Sequence, residues 1–431
     1  MVSKKNNKEK ATIILDDEFV VKRQRASFED EKRAQIERAT KAKNTYTEPV
    51  DFVSLPIDEN IHKEAHALYK KMNVSMAKEL IVVGIGGSIM GFWAIVEGLS
   101  FERSDKKTPR VTIVDAPDTE KIDYIKKEIL PKTKKTSDVL IVIISKSGST
   151  LETQASGQMV YDVFEKKYSN GIHKQCVLIT EEGSSLWNMG IKKGMNLLAI
   201  PKVITGRFSV FSQVGLFPLL CAGVDIEALC AGAQSALSKS MIAKAQQSAR
   251  LLYEQYIHGK TAHAIFVFHE ALTRWGQWYR QILAESINKE GDELMFKKHT
   301  GITPLLLTGP RDLHALVPLL LDGPRKIFTL FVQVPQRGTN TVIKRTPLFT
   351  KKIKEKTAQE ITSLLIRSIT KAYDLKHLPS TTIKLPHLSA FWLGWLMEYK
   401  MIETVFLGDY LNVDVFTQPA VDEYKRFIEA L

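Results

Sequence analysis

Between residues 80 and 201 the chain repeats one arrangement. A short unbroken apolar run gives way to a few small or polar residues, and then to a stretch with helical spacing. The runs are LIVVGI (80–85), VTIVDA (111–116), DVLIVIIS (138–145), QCVLIT (175–180) and MNLLAIP (195–201). Apolar runs without alternation predict strands covered on both faces, as in a parallel sheet with helices on either side. A largely helical stretch follows at about 210–258. The alternation then resumes with AIFVF (264–268), GITPLLL (301–307) and RKIFTLFVQV (325–334), and the remainder reads as helix, with Trp392, Leu396 and Tyr399 on one core-facing stripe. Residues 20–45, dense in charges of both signs, predict a solvated helix. The fold class is therefore α/β: two doubly wound three-layer αβα domains with mainly parallel sheets, plus helical arms. The expected division is a helical arm at 1–50 packing on the larger domain, a smaller domain at 51–240, and a larger domain with C-terminal helices at 241–431.

Composition narrows the class. The chain has 431 residues, 44% of them hydrophobic, enough for two cores. A net charge of +12, from 60 Lys and Arg against 48 acids, suits an anionic partner without specifying one. Cys176, Cys221 and Cys230 are odd in number and far apart, which argues against a disulfide framework and against paired-cysteine zinc sites. The lysine-rich N-terminus lacks the apolar core of a signal peptide, and no stretch approaches the roughly 20 apolar residues of a membrane span. The expectation is a cytoplasmic protein with no membrane association.

Two loops carry candidate chemistry. GIGGS (84–88) leaves an apolar strand, but the dinucleotide fingerprint needs a third glycine where Ile89 stands, and no Gly-Lys-Ser/Thr ending marks a Walker loop. What remains is bare backbone at Gly87 followed by the Ser88 hydroxyl at a helix start, a place for a polar ligand. A tight turn with Ser88 as N-cap explains the same residues equally well. The second loop, SKSGST (145–150), offers Ser145, Lys146, Ser147, Ser149 and Thr150 ahead of a helix. Hydroxyls, an ammonium and free helix N–H groups suit a phosphomonoester, and no nearby aspartate supplies a Walker-type magnesium site.

With these loops placed, the chain from about residue 80 onward resembles the glucose-6-phosphate isomerase family, built from paired sugar-isomerase domains. GIGGSIMG (84–91) is similar to that family's first glycine motif, and SKSGSTLET (145–153) to its phosphate loop. GRFSVFSQVGL (206–216), QILAESINKEG (281–291), DLHALVPLLLDGP (312–324) and FTQPAVDEYK (416–425) follow in the family's order. The resemblance implies an aldose–ketose isomerase acting on a phosphorylated hexose, working as a homodimer with shared active sites, and requiring neither metal nor cofactor. It implies substrate contacts from Gly87, Ser88, Ser145, Lys146, Ser147, Thr150 and Gln418.

Moving a proton between adjacent carbons calls for one base poised over both. The resemblance assigns that role to Glu285, in an apolar-leaning helical setting where desolvation raises a carboxylate's pKa. Gln281, one helical turn earlier, shares its face. Arg207 matches the family's arginine, a fixed charge for the enediolate oxyanion. His314 and Lys425 match the groups that open the sugar ring, and His314 is expected to be donated across a dimer interface. Departures from the family pattern lie at Thr205, Leu313, Ala315, Thr417 and Ala420, and they predict a perturbed ring-opening step.

Three other readings stand beside this one. An isomerase of another phosphosugar, such as mannose 6-phosphate, carries the same motifs. A non-catalytic sugar-phosphate sensor needs the phosphate loop but not Glu285, His314 and Lys425 together. Nucleic-acid binding is disfavoured because the lysine clusters (131–138, 349–356) lack interleaved aromatics.

Overall fold

A computed structural model describes residues 10–15, 26–42, 45–100, 108–290, 299–336, 341–344, 348 and 350–429. The strands in chain order are β1 (Thr12–Leu15), β2 (Glu79–Val83), β3 (Arg110–Val114), β4 (Val139–Ile144), β5 (Cys176–Thr180), β6 (Asn196–Ala199), β7 (Ala262–Val267), β8 (Lys289–Glu290), β9 (His299–Thr300), β10 (Thr303–Thr308), β11 (Ile327–Gln333) and β12 (Ser380–Lys384). The helices are α1 (Ala26–Ala39), α2 (Glu59–Lys71), α3 (Met90–Gly98), α4 (Thr119–Tyr124), α5 (Leu151–Tyr168), α6 (Ser185–Lys193), α7 (Gln213–Cys221), α8 (Ile226–Ala236), α9 (Lys239–Ile257), α10 (Thr273–Ile287), α11 (Val317–Leu321), α12 (Ala358–Leu375), α13 (Ala390–Leu411) and α14 (Pro419–Glu429).

The chain divides into two compact units. One comprises Ser27–Ile242 with Leu393–Met401; the other comprises Met1–Ala26, Ala243–Trp392 and Ile402–Leu431. The first unit holds a five-stranded sheet in the order β3-β2-β4-β5-β6, parallel throughout. Every residue of β2, β4 and β5 is buried, which accounts for their unbroken apolar runs. The second unit holds a sheet in the order β1-β12-β11-β7-β10, parallel except where β1 runs antiparallel to β12. The short antiparallel pair β8–β9 stands apart from both.

Two departures from the sequence expectation concern the N-terminal 50 residues. Part of that segment is a strand, β1, not a helical arm, and α1 groups with the first unit, where Ile36 and Ala39 are buried. The strands β1 and β12 escaped the sequence reading for different reasons. Strand β1 is a four-residue edge strand, and the interior strand β12 carries Thr381 and Thr382 where the facing residues of β11 are Leu330 and Phe331. Residues 20–25 and 43–44 of the expected charged helix lie outside the described residues. The aromatic stripe of α13 is core, as expected: Trp392, Leu396 and Tyr399 are all buried.

Candidate active site

In the first sheet the chain departs from β2 to one side, through β3, and returns to the other side as β4. Ligands of doubly wound folds bind at such a reversal, in the crevice beyond the strand C-termini. The two loops singled out from the sequence leave those two strands. They adjoin, since a side chain at Gly84 would come 3.1 Å from the carbonyl oxygen of Ile144.

A third segment joins them. A Cβ on Gly87 would lie 2.5 Å from both the backbone nitrogen of Arg207 and the carbonyl carbon of Gly206. The bare backbone at Gly87 therefore admits another part of the chain, the turn Gly206–Phe208, so its glycine has a packing reason beside any ligand. Arg207 is buried, with its guanidinium 5.8 Å from the ring centroid of Phe208. Ser88 is half-buried in a single 3₁₀ turn, and it does not cap α3, whose N-cap is Ile89 without a side-chain bond. Gly87→Ala forces the 84–88 loop and the Arg207 turn apart. We expect it to lower unfolding stability by about 1–3 kcal/mol, read from urea denaturation. An unchanged midpoint would show that the close packing is dispensable.

The 145–150 loop gathers four hydroxyls at the start of α5. Ser145 is buried, and its hydroxyl lies 3.3 Å from that of Thr150. Ser147 and Ser149 are exposed, and Ser147 Oγ accepts from the Ser149 hydroxyl at 3.0 Å and from its N–H at 3.3 Å. Gly148 turns the loop at φ +68°, and its carbonyl is gripped by Gln154 Nε2 at 2.8 Å and Ser185 Oγ at 3.1 Å. Thr150 occupies the N-cap of α5 but makes no side-chain capping bond, which leaves the first-turn N–H groups facing a row of hydroxyls. Lys146 points elsewhere than expected: its ammonium pairs with Glu181 at 3.4 Å. Among the cradle residues it is the one already engaged by a carboxylate.

The second sheet offers an equivalent place, where its central strand β11 is followed by α12. There the helix end is closed by the protein itself. Thr357 and Glu360 form a reciprocal cap, with the Thr357 N–H donating to Glu360 Oε2 at 2.7 Å and the Glu360 N–H to Thr357 Oγ1 at 3.1 Å. These bonds hold the Glu360 carboxyl below its ordinary range.

In the second unit, Gln281 and Glu285 share one face of α10, as the spacing predicts, and Gln281 Nε2 donates to Glu285 Oε1 at 2.7 Å. The amide thus fixes one carboxylate oxygen, and the side chain of Glu285 is half-buried. His314 is exposed and follows the turn Arg311–Leu313. That turn lies beyond the C-terminal ends of β7 and β10: the Gly309 N–H donates to Val267 O at 2.8 Å, and Arg311 pairs with Glu270 at 3.0 Å. Glu285 lies at the other end of β10. Its helix starts against Leu306, through Gly276, and finishes with Asn288 against Gly301, two residues before β10 begins. Six strand residues span about 20 Å. Glu285 and His314 of the same chain therefore sit at opposite ends of one strand.

Gln418 precedes α14 and accepts the Val421 N–H at 3.1 Å. Lys425 is carried on α14. Gly291, which ends the QILAESINKEG segment, lies outside the described residues. Sequence reasoning assigned no role to Lys289, Glu181, Gln154 or Ser185. Only Lys289 had a signal there, through its place four residues after Glu285. The thiols of Cys176, Cys221 and Cys230 are free and buried, and burial raises all three, that of Cys176 to about 12, so none is a poised nucleophile. Among the described residues, no group of three or more His, Cys, Asp or Glu is placed to hold a metal ion, and no helix is long and apolar enough to cross a membrane.

Comparison with known proteins identifies the family. A family model described as phosphoglucose isomerase matches residues 57–430. The glucose-6-phosphate isomerase of Methanocaldococcus jannaschii is 30% identical over 387 residues, 88% of this chain and 88% of that protein. That of Listeria monocytogenes serotype 4b is 28% identical over 435 residues, 94% of this chain and 93% of its own. Among solved structures, a hypothetical protein of Thermus thermophilus matches with a TM-score of 0.80 at 25% identity, covering 93% of this chain and 94% of that one. A glucose-6-phosphate isomerase of Chlamydia trachomatis matches in fold with a TM-score of 0.74 at 20% identity, covering 92% and 77%. The model match spans most of the chain, and the relatives align over nearly their whole lengths: this chain belongs to the phosphoglucose isomerase family.

Proposed function

We propose that the chain interconverts D-glucose 6-phosphate and D-fructose 6-phosphate by ring opening and a cis-enediol proton transfer, without metal or cofactor. The observation that carries this is Glu285, retained at the family's base position with its carboxylate oriented by Gln281 at 2.7 Å. The phosphate docks on the Ser145–Thr150 hydroxyls at the open end of α5, while Gly87 and Ser88 line the sugar and Gln418 contacts it from the C-terminal turn. Once the ring is open, Glu285 takes the proton from C2 and the carbonyl at C1 becomes the enediolate oxygen, whose charge Arg207 offsets. Glu285 returns the proton to C1 while the O2 hydroxyl proton passes to O1, leaving a carbonyl at C2 and a hydroxyl at C1 of the ketose. His314 and Lys425 serve the ring oxygen. Glycolysis and gluconeogenesis are the setting, and buried free thiols support a reducing cytoplasm.

The direct test is conversion of fructose 6-phosphate to glucose 6-phosphate by purified protein in EDTA, with mannose 6-phosphate run beside it. Turnover of the mannose ester alone would move the assignment to that sugar, and binding without turnover would favour a sensor.

The working unit in this proposal is a homodimer, with His314 supplied to the Glu285 of a second copy. Exposure of His314 and its place at the far end of β10 from Glu285 support this arrangement. A Glu285→Gln chain and a His314→Ala chain, each inactive as purified, should regain turnover when unfolded and refolded together. Hybrid dimers then hold one site with both native groups. No regain in the mixture would place both residues in the same chain's site.

A further inference from the structure

Lys289 stands four residues beyond Glu285, at the start of β8, and its ammonium reaches the C-terminal segment. It donates to the carbonyl of Asp414, to the carbonyl of Thr417 at 2.6 Å and to Thr417 Oγ1 at 3.1 Å. Three acceptors in a single turn match the three donors of an ammonium group. The turn is closed on itself as well: the Phe416 N–H donates to Asp414 Oδ1 at 2.9 Å and the Thr417 hydroxyl to Asp414 O at 3.2 Å. Gln418 follows at once, and α14 with Lys425 begins at the next residue. Lys289 thus ties the end of the helix that carries the base to the entry of the helix that carries Lys425.

We infer that Lys289 is a positioning residue for ring opening, holding α14 in register with α10 through the 414–417 turn. The inference rests on the isomerase reading above. Thr417 stands where the family pattern has an aspartate, so at this position the ammonium meets neutral oxygens, and this part of the hold depends on hydrogen-bond geometry. A displacement of this turn moves Gln418 and Lys425 without touching the Gln281–Glu285 pair, so the damage should fall on one chemical step.

The test is the Lys289→Met variant, assayed with glucose 6-phosphate carrying hydrogen or deuterium at C2. A misplacement of about 1 Å costs up to 10²-fold in rate, so we expect kcat/KM to fall tenfold or more. The deuterium effect on kcat/KM should shrink toward one, because ring opening then limits the rate and C–H cleavage does not. Thr417→Val, which deletes one of the three acceptors, should give a smaller shift in the same direction, and it carries the test if Lys289→Met does not fold. An unchanged kcat/KM, or a loss that keeps the full deuterium effect, overturns the inference; the second result would trace the damage to Glu285. Absence of turnover in the parent chain is a separate outcome, which overturns the isomerase reading itself.

Discussion

Glu285→Gln should leave the sugar phosphate bound and turnover reduced by about 10²–10⁴-fold, the range for losing a positioned general base. The amide keeps the shape and can still meet Gln281, whose Nε2 lies 2.7 Å from the Glu285 oxygen in the parent chain. It cannot accept a proton from C2. The change should therefore appear in kcat with little change in affinity, and deuterium from solvent should no longer enter C2 of the substrate. An equal loss in binding would mean that Glu285 holds the sugar and does not act on it. Retained exchange at C2 would put the base elsewhere in the chain.

A second large effect concerns stability. Glu398, on α13, is fully buried, and neither carboxyl oxygen has a hydrogen-bond partner among the described residues. Burial pushes its carboxyl well above the ordinary range. The surroundings are tightly packed: at Gly394, one turn earlier, a Cβ would run into the carbonyl of Leu229 on α8. The folded state keeps this acid protonated while the unfolded chain releases the proton above about pH 4.3. The folded form then binds more protons than the unfolded one, so unfolding free energy falls as pH rises. The penalty is absent below the unfolded value, grows through the window between the two values, and is complete above the folded one.

Glu398→Met, of similar length and without an ionisable group, removes the penalty. Between pH 5 and pH 7 the stability advantage of the variant over the parent should grow as pH rises. Urea denaturation at both pH values measures it. A stability difference that stays constant across that window would show that Glu398 is not kept protonated by the fold. Such an acid has no part in the proposed chemistry, and the structure shows no compensating contact that explains its retention.

The doubled architecture also allows two helix starts to be compared. Both sheets send a long helix away from their central strand, β4 or β11. The two starts differ in their caps. At α12 Thr357 and Glu360 cap the helix end reciprocally, whereas at α5 the N-cap Thr150 makes no side-chain capping bond. This contrast was legible in part beforehand. The hydroxyl-rich loop stood out in the sequence, but the closing role of Glu360 needed the geometry of its bonds.

Much of the fold followed from local patterning, because burial on both faces of a strand leaves an unbroken apolar run, and β2, β4 and β5 are buried at every position. The same holds for the pairing of Gln281 with Glu285, since helical spacing puts residues four apart on one face. What patterning could not reach are contacts between segments distant in the chain, which depend on how elements pack and not on how each one folds. Gly87 reads as a ligand loop until the Gly206–Arg207 backbone is found against it. Lys146 reads as a phosphate ligand until Glu181 is found beside it. The edge strand β1 is four residues long and only partly covered, and the interior strand β12 has threonines at two of its three buried positions, so neither offers a long unbroken apolar run. Periodicity reports the conformation and covered face of each element, so it settled the α/β architecture and the helix face that Gln281 and Glu285 share. Register and packing decided the rest: the open end of α5, the Lys289 hold on the 414–417 turn, and the placing of Glu285 and His314 at opposite ends of β10.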